Sequence, residues 1–200
     1  MRRPGTLRII AGSARGIRLA FPKGAEVRPT ADRIREAIFN ILADRVIEAR
    51  VLDLFAGTGA FGIEALSRGA SEAVFVENNR ACVAAIRENL EKTRFSDQAA
   101  VIVAGALSFP HAAAPPVGPF DIIFLDPPYH LSRTCEQGSR MARLMARLGT
   151  PHLLATGGIV VFEHASMAKV PDEFGSVRRS DRRDYGSTAV SFYSAEVTER

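Results

Sequence analysis

Short apolar runs and longer segments of three-to-four-residue hydrophobic period alternate from residue 51 onward. The runs at 51–55, 73–77, 100–103, 121–126 and 158–163 predict strands, and the segments 60–68, 79–93 and 131–148 predict helices. Such alternation predicts an α/β fold with a parallel, doubly wound sheet. Upstream, 7–12 and 16–21 read as two short strands of a hairpin joined by Ser13-Ala14-Arg15, with arginines alternating on one face. A loop runs from Pro22 to Pro29, and Thr30 is placed to cap a helix whose apolar stripe is Ile34, Ala37, Ile38, Ile41 and Leu42. Arg33 and Glu36 fall at the edge of that stripe, facing either a cleft or solvent. At the other end, 187–197 predicts a strand that pairs antiparallel with one near 174–179, because no helix separates them. The stretch 112–119 is a surface connector, and no internal repeat is present.

A chain of 200 residues with 46% hydrophobic content is long and apolar enough for one such domain and a modest extension. Cys82 and Cys135 lie far apart in sequence, which argues against a disulfide scaffold or a thiolate metal site. The four histidines show no ligand spacing, so no metal is expected. No apolar run is long enough to cross a bilayer and the start leads into no signal-peptide core, so a cytoplasmic protein is expected. With no exposed apolar stripe evident, a monomer is expected. Net charge is only +4, but residues 1–35 hold nine basic side chains against two acids, a local +7 that leaves −3 on the rest. That arm, with Arg2, Arg3, Arg8, Arg15, Arg28 and Arg33, points to a polyanionic partner such as nucleic acid; a solvated basic terminus is the alternative. The arginines at 140, 143 and 147 read as a solvated helix face, and those at 178–183 are interleaved with acids.

Candidate chemistry concentrates in two motifs. The first strand carries Asp53 and opens into Gly57, Gly59 and Gly62, with Glu77 closing the second strand. This glycine spacing allows a tight turn and close approach of backbone to ligand, and nicotinamide and flavin proteins share it. Asp53 tilts the reading, because a carboxylate just before the glycines repels a pyrophosphate. It suits a ligand bearing an ammonium, such as the methionine part of S-adenosylmethionine, with Glu77 on the ribose hydroxyls. The second motif, Asp126-Pro127-Pro128-Tyr129, ends the fourth strand. In a doubly wound sheet it faces the glycine loop across the crevice at the strand ends. Two prolines make it stiff and remove competing N–H donors. The Asp126 carboxylate and the Pro127 carbonyl suit the two N–H groups of an exocyclic base amine, and Tyr129 suits a stacked base. Methyl transfer to such an amine needs positioning and electrostatics more than a strong base.

Together these motifs resemble the Rossmann-like S-adenosylmethionine-dependent amino-methyltransferases. The stretches Leu7-Arg-Ile-Ile-Ala-Gly-x-x-Arg-Gly16, Arg28-Pro-Thr-x-Asp-Arg-x-Arg-Glu36 and Glu64-Ala-Leu-Ser-Arg-Gly-Ala70 further resemble the RsmD family of 16S rRNA guanine-N2 methyltransferases. The resemblance implies a seven-stranded sheet with its last strand antiparallel, a basic hairpin-and-helix extension over 1–42 for RNA, and a methyltransferase domain over 43–200. It implies methylation of one guanine in the 16S rRNA of the small subunit or its assembly intermediate. Asp126, Pro127, Pro128 and Tyr129 would hold the amine and base. Asp53, Phe55, Gly57, Gly59, Gly62, Glu77, Asn78, Gly105, Ala106 and Thr30 would serve the cofactor. Such enzymes place Asp or Asn after the third strand for the adenine amine, whereas this chain has Gly105. DNA adenine-N6 and cytosine-N4 methyltransferases share Asp-Pro-Pro-Tyr but generally carry a further target-recognition domain, for which the chain leaves little room. A protein-glutamine methyltransferase is disfavoured by Asp126, a nicotinamide oxidoreductase by Asp53. A non-catalytic RNA-binding protein of the same fold would use the arm but not the amine pocket.

Overall fold

The structure, a computed structural model, describes residues 7–22, 32–109, 118–133 and 135–195. Arg2, Arg3, Arg28, Thr30 and the proposed loop and connector residues 23–29 and 112–117 lie outside it. Five strands, β1 (Arg50–Leu54), β2 (Glu72–Glu77), β3 (Ala99–Val103), β4 (Phe120–Leu125) and β5 (Leu154–Ala165), pair in parallel. Beyond β5 the antiparallel strands β6 (Glu173–Phe174), β7 (Val177–Tyr185) and β8 (Thr188–Ala195) complete the order β3-β2-β1-β4-β5-β8-β7-β6. The sheet therefore has eight strands rather than seven, and the antiparallel part is more than one strand. The additional pairing comes from a turn at Gly175, whose φ of +61° folds Phe174 against Val177.

Alternation along the central strands sends side chains to two apolar layers. Val51, Phe75, Ile122, Phe124 and Val161 face α1 (Asp32–Leu42), α2 (Ala60–Ser67) and α3 (Arg80–Thr93). Leu52, Val74, Ile123, Leu125 and Phe162 face α5 (Arg140–Leu148) on the other side. The sheet order turns about β1 and β4, so the loops after these two strands flank one crevice.

Helix 131–148 is two helices, α4 (Tyr129–Ser132) and α5. Gly138, at φ +84°, breaks the run, and Ser139 starts α5 afresh by accepting the Ala142 N–H at 3.1 Å. The hairpin is short: Arg8 and Arg18 form a single bridge, supported by Ile9 N–H to Ile17 O at 3.0 Å and Leu19 N–H to Leu7 O at 2.9 Å. Its apolar side, Leu7, Ile9 and Leu19, joins the layer that contains Phe39 and Phe61. On α1 the buried set is Ile34, Arg35, Ile38, Phe39 and Leu42, so Ile41 is exposed and Arg35 takes a core position. Arginines 178, 179, 182 and 183 each meet an acid, respectively Glu173, Asp172, Asp184 and Asp181, so β7 is not an unbalanced basic patch. No helix among the described residues is long and apolar enough to cross a membrane.

Candidate active site

The loop after β1 is built around carboxylates of its own. Phe55 leaves the strand with φ +59°, a left-handed conformation that costs a non-glycine residue on the order of 1 kcal/mol. Gly57 and Gly59 continue the turn at φ +56° and +77°. The Asp53 side chain, buried on the α2 side of β1, accepts the Gly62 N–H at 3.0 Å. Glu77, one strand over, accepts the Gly57 N–H at 2.9 Å with one oxygen and the Asn78 and Asn79 N–H groups, both at 2.8 Å, with the other. Gly59 N–H goes to Ala56 O at 2.7 Å. The glycine amides that a pyrophosphate would use are thus committed inside the protein, two of them to carboxylates. This geometry supplies the physical reason for preferring an ammonium-bearing ligand over a dinucleotide.

The third glycine serves packing. A Cβ on Gly62 would lie 2.4 Å from Cε1 and 2.6 Å from Cζ of Phe75, a fully buried ring of β2. Only glycine lets α2 sit this close to the sheet, and that closeness carries the Gly62 N–H to Asp53. Burial pushes the Asp53 carboxyl well above the ordinary carboxylate range. The Gly62 N–H opposes this, while the charges of Asp126 and Glu77 add to it.

Across the crevice, β4 ends at Leu125 and Asp126-Pro127-Pro128-Tyr129 follows. Pro127 is buried, Asp126 half-buried and Tyr129 exposed. Pro128 carbonyl oxygen caps the short α4, accepting the Leu131 N–H at 2.8 Å, and the Arg133 guanidinium lies 5.7 Å from the Tyr129 ring centre. Beneath the turn, Phe124 stacks on Phe61 at 4.9 Å and meets Phe39 at 5.4 Å between ring centres, a rigid apolar floor. Glu163, two residues before the end of β5, lines a small depression with Asp126, Phe61 and Ile38. A separate cavity of about 290 Å³, lined by Arg45, Asp121 and Gly157 among others, lies at the opposite ends of the strands, away from both motifs.

On the β3 side, Gly105 has an ordinary φ of −74°, and a Cβ there would face Ser108 Oγ at 3.4 Å and Asn78 Nδ2 at 4.0 Å. Ala106 is buried at the start of the turn that follows, and the Arg147 guanidinium fixes that turn by donating to Leu107 O at 2.7 Å. Arg147 of the arginine stripe is therefore a structural tie, not a freely solvated side chain.

Of the basic arm, Arg8, Arg15 and Arg33 are exposed, whereas Arg35 is wholly buried. Its guanidinium donates to Arg8 O and to Asp32, and its Nε lies 3.8 Å from Glu64. Glu64, equally buried on α2, accepts the Ile10 N–H at 2.7 Å, the Ala11 N–H at 3.0 Å and Arg68 Nε at 2.7 Å. Ser67 completes the seam, taking the Ala14 N–H at 3.0 Å and donating to Ala11 O at 2.6 Å. Asn89 of α3 ties the same segment to the glycine loop: its side chain accepts from Ala20 N–H at 2.6 Å and donates to Thr58 O at 3.0 Å. Sequence reasoning assigned no role to Asn89 or Glu163. Their signals were a polar side chain inside a predicted helix and an acid ending an apolar run, the latter the same mark that identified Asp126. Among the described residues, no three His, Cys, Asp or Glu side chains come together as a metal site.

The model of the family described as conserved hypothetical protein 95 matches residues 7–194. The chain is 34% identical over 187 residues to "Putative rRNA methyltransferase YlbH" of Bacillus subtilis, covering 94% of this chain and 98% of that protein. It is 42% identical over 125 residues to "Ribosomal RNA small subunit methyltransferase D" of Escherichia coli, a match that spans 62% of this chain and 61% of the other. Among solved structures, "Putative methyltransferase yhhF" from Escherichia coli superposes with a TM-score of 0.77 at 33% identity, over 96% of this chain and 99% of that one. A match across nearly the whole length takes in the docked arm, the carboxylate-bound glycine loop and the turn after β4 alike, so the chain belongs to the RsmD family of S-adenosylmethionine-dependent methyltransferases.

Proposed function

We propose that this protein methylates the exocyclic N2 amine of one guanine in the 16S ribosomal RNA of the small subunit or its assembly intermediate, acting as a cytoplasmic monomer. The observation that carries the reading is the Asp126-Pro127-Pro128-Tyr129 turn set beside Asp53 at the sheet's switch point. The name of the Escherichia coli relative agrees with it. The crevice fits the cofactor: the ring of Asp53, Glu77 and Asp126 favours a cationic ligand, and Glu77, although engaged, keeps acceptor capacity on a half-exposed carboxylate. When bound, S-adenosylmethionine supplies a methyl group activated by its sulfonium.

Asp53 holds the ammonium end, with Phe55 and the turn through Gly57, Gly59 and Gly62 shaping the space around it. Glu77 takes the ribose hydroxyls. Asn78, with the backbone at Gly105 and Ala106, borders the adenine; a side chain at position 105 would lie nearest Ser108 Oγ, at 3.4 Å, with Asn78 Nδ2 next at 4.0 Å. The Asp126 carboxylate and the Pro127 carbonyl receive the two amine hydrogens, which turns the nitrogen lone pair toward the methyl group. Asp126 would take the proton that the amine nitrogen sheds as it gains the methyl group, whose bond to the sulfonium breaks to leave a neutral thioether, and would pass that proton to water. Pro128 stiffens the turn and Tyr129 stacks on the base. Thr30, outside the described residues, is assigned to the cofactor by the family resemblance. Residues 1–42 form the RNA-facing extension, with Arg2, Arg3, Arg8, Arg15, Arg28 and Arg33 on phosphates, and residues 43–200 form the catalytic body.

The test incubates the protein and labelled S-adenosylmethionine with small subunits from cells lacking the modification, then identifies the labelled nucleoside by mass. N2-methylguanosine is expected, and Asp126→Ala abolishes it while RNA binding persists. Methyladenosine, or full turnover by the variant, refutes the proposal.

A further inference from the structure

Asp126 is not the sole carboxylate at the amine pocket. The parallel register of β4 and β5 pairs Leu125 with Phe162, so the next residues along come level: Asp126 just past the end of β4 and Glu163 two residues before the end of β5. Adjacent strands lie about 4.8 Å apart. Leu125 and Phe162 face the α5 layer, so alternation turns Asp126 and Glu163 to the opposite side, above Phe61, Phe124 and Val161. Both border one shallow depression there, and Glu163 is half-buried.

We propose that Glu163 reads the Watson–Crick edge of the target base, accepting the ring N1–H of guanine while Asp126 and Pro127 hold the neighbouring amine. This rests on the reading that a base amine is methylated at Asp126, and it goes further by naming what selects the base. An ionised carboxylate only accepts hydrogen bonds. Guanine is the base whose amine-bearing edge continues with a second donor, N1–H. In adenine the ring nitrogen beside the amine is an acceptor, and in cytosine likewise, so each sets a lone pair against the Glu163 carboxylate. The pair of acids therefore rewards guanine with a charge-assisted bond and penalises the other amino bases by repulsion. Tyr129 stacking alone draws no such distinction, since every base has a π-face.

The test uses small subunits reconstituted with the methylated guanine replaced by 2-aminopurine or by 2,6-diaminopurine. Both analogues keep the C2 amine and lack the N1 hydrogen, and they differ from each other at position 6. The wild-type protein is expected to show a kcat/KM lower for both by on the order of tenfold to a hundredfold. Glu163→Gln slows the guanine reaction but narrows the gap, because its amide N–H donates to the bare N1. Melting temperature and cofactor binding of the variant report its folding, and if it does not fold the wild-type comparison of the two analogues decides alone. Equal wild-type rates on guanine and on both analogues overturn the proposal, as does a variant that slows all three substrates by one factor. Failure of the wild-type protein to methylate guanine refutes the parent reading, whereas methylation of guanine without discrimination refutes only the role of Glu163.

Discussion

Glu64 is the residue on which the attachment of the N-terminal segment turns, and Glu64→Gln isolates its charge. The side chain is fully buried, accepts two backbone N–H groups and the Arg68 Nε, and lies 3.8 Å from the Nε of the equally buried Arg35. Glutamine keeps the volume but presents an NH₂ where one acceptor oxygen stood, toward either the Ile10 or the Ala11 N–H. It also leaves Arg35 with the half-exposed Asp32 as its acidic ion-pair partner among the described residues. Burial already lowers the Arg35 pKa against the opposing pull of Glu64 and Asp32, so loss of Glu64 falls on a group that is short of solvation. Breaking one partner of a buried pair costs about 3–5 kcal/mol, out of a total stability of about 5–15 kcal/mol. Taking the lower value of about 3 kcal/mol, the melting temperature of a chain this size falls by roughly 6–12 °C. Urea titration should show a lower midpoint with an unchanged slope. Adding Arg35→Met to the variant should restore part of the loss, because no buried charge then remains uncompensated. A loss below about 1 kcal/mol, or strictly additive single and double variants, refutes the argument that this buried network docks the segment.

Gly62→Ala places a methyl group 2.4 Å from the Phe75 ring, so overpacking of about 1–3 kcal/mol should lower the melting temperature. The displaced α2 should weaken cofactor binding by roughly tenfold in calorimetry, about 1.4 kcal/mol, and an unchanged affinity would separate the helix position from the site. For Asp53, whose folded-state pKa is raised, the cofactor-free protein gains stability from the retained proton at low pH and loses it as pH rises from the ordinary carboxylate range through the folded value. A cationic cofactor demands the ionised form, so affinity should rise as pH rises from the ordinary carboxylate range through the raised folded value, and Asp53→Asn should flatten the slope. A flat wild-type profile would remove Asp53 from the ammonium contact.

Strand–helix alternation, the glycine loop and the turn after β4 were legible because each is a local pattern with a local cause. Val51 to Leu54 carries one acid and opens into glycines, Ile122 to Leu125 is closed by an acid and a proline pair, and both fold where those patterns place them. What sequence did not disclose depends on contacts between distant segments. Arg35 reads as part of a basic arm until Glu64, 29 positions away, is seen to bury it. The helix through 131–148 looks continuous because its period holds, while Gly138 and Ser139 act through backbone angle and a cap. The strand beyond the expected seven, β6, is two residues long, too short to carry any period. Asn89 resembles a solvated helix residue, and only the chain folding back at Ala20 gives it a reason to be buried.

The distribution of charge also bears on how an RNA enters. On the proposed reading, the crevice edge carries the partly exposed Glu77, Asp126 and Glu163, a concentration of acid that repels a phosphate backbone, while the exposed arginines of the extension attract one. A polyanion is thereby drawn to the arm and held off the pocket, and what crosses the acidic rim is a neutral base offering N–H donors. The arm can serve this purpose only if it is held at a fixed distance from the rim. Glu64 and Ser67 fix it to α2, and Asn89 fixes it to the glycine loop through Thr58, so the same helices that position the cofactor loop also position the phosphate contacts. A loosened seam should therefore raise the KM for the ribosomal substrate before it alters the KM for the cofactor.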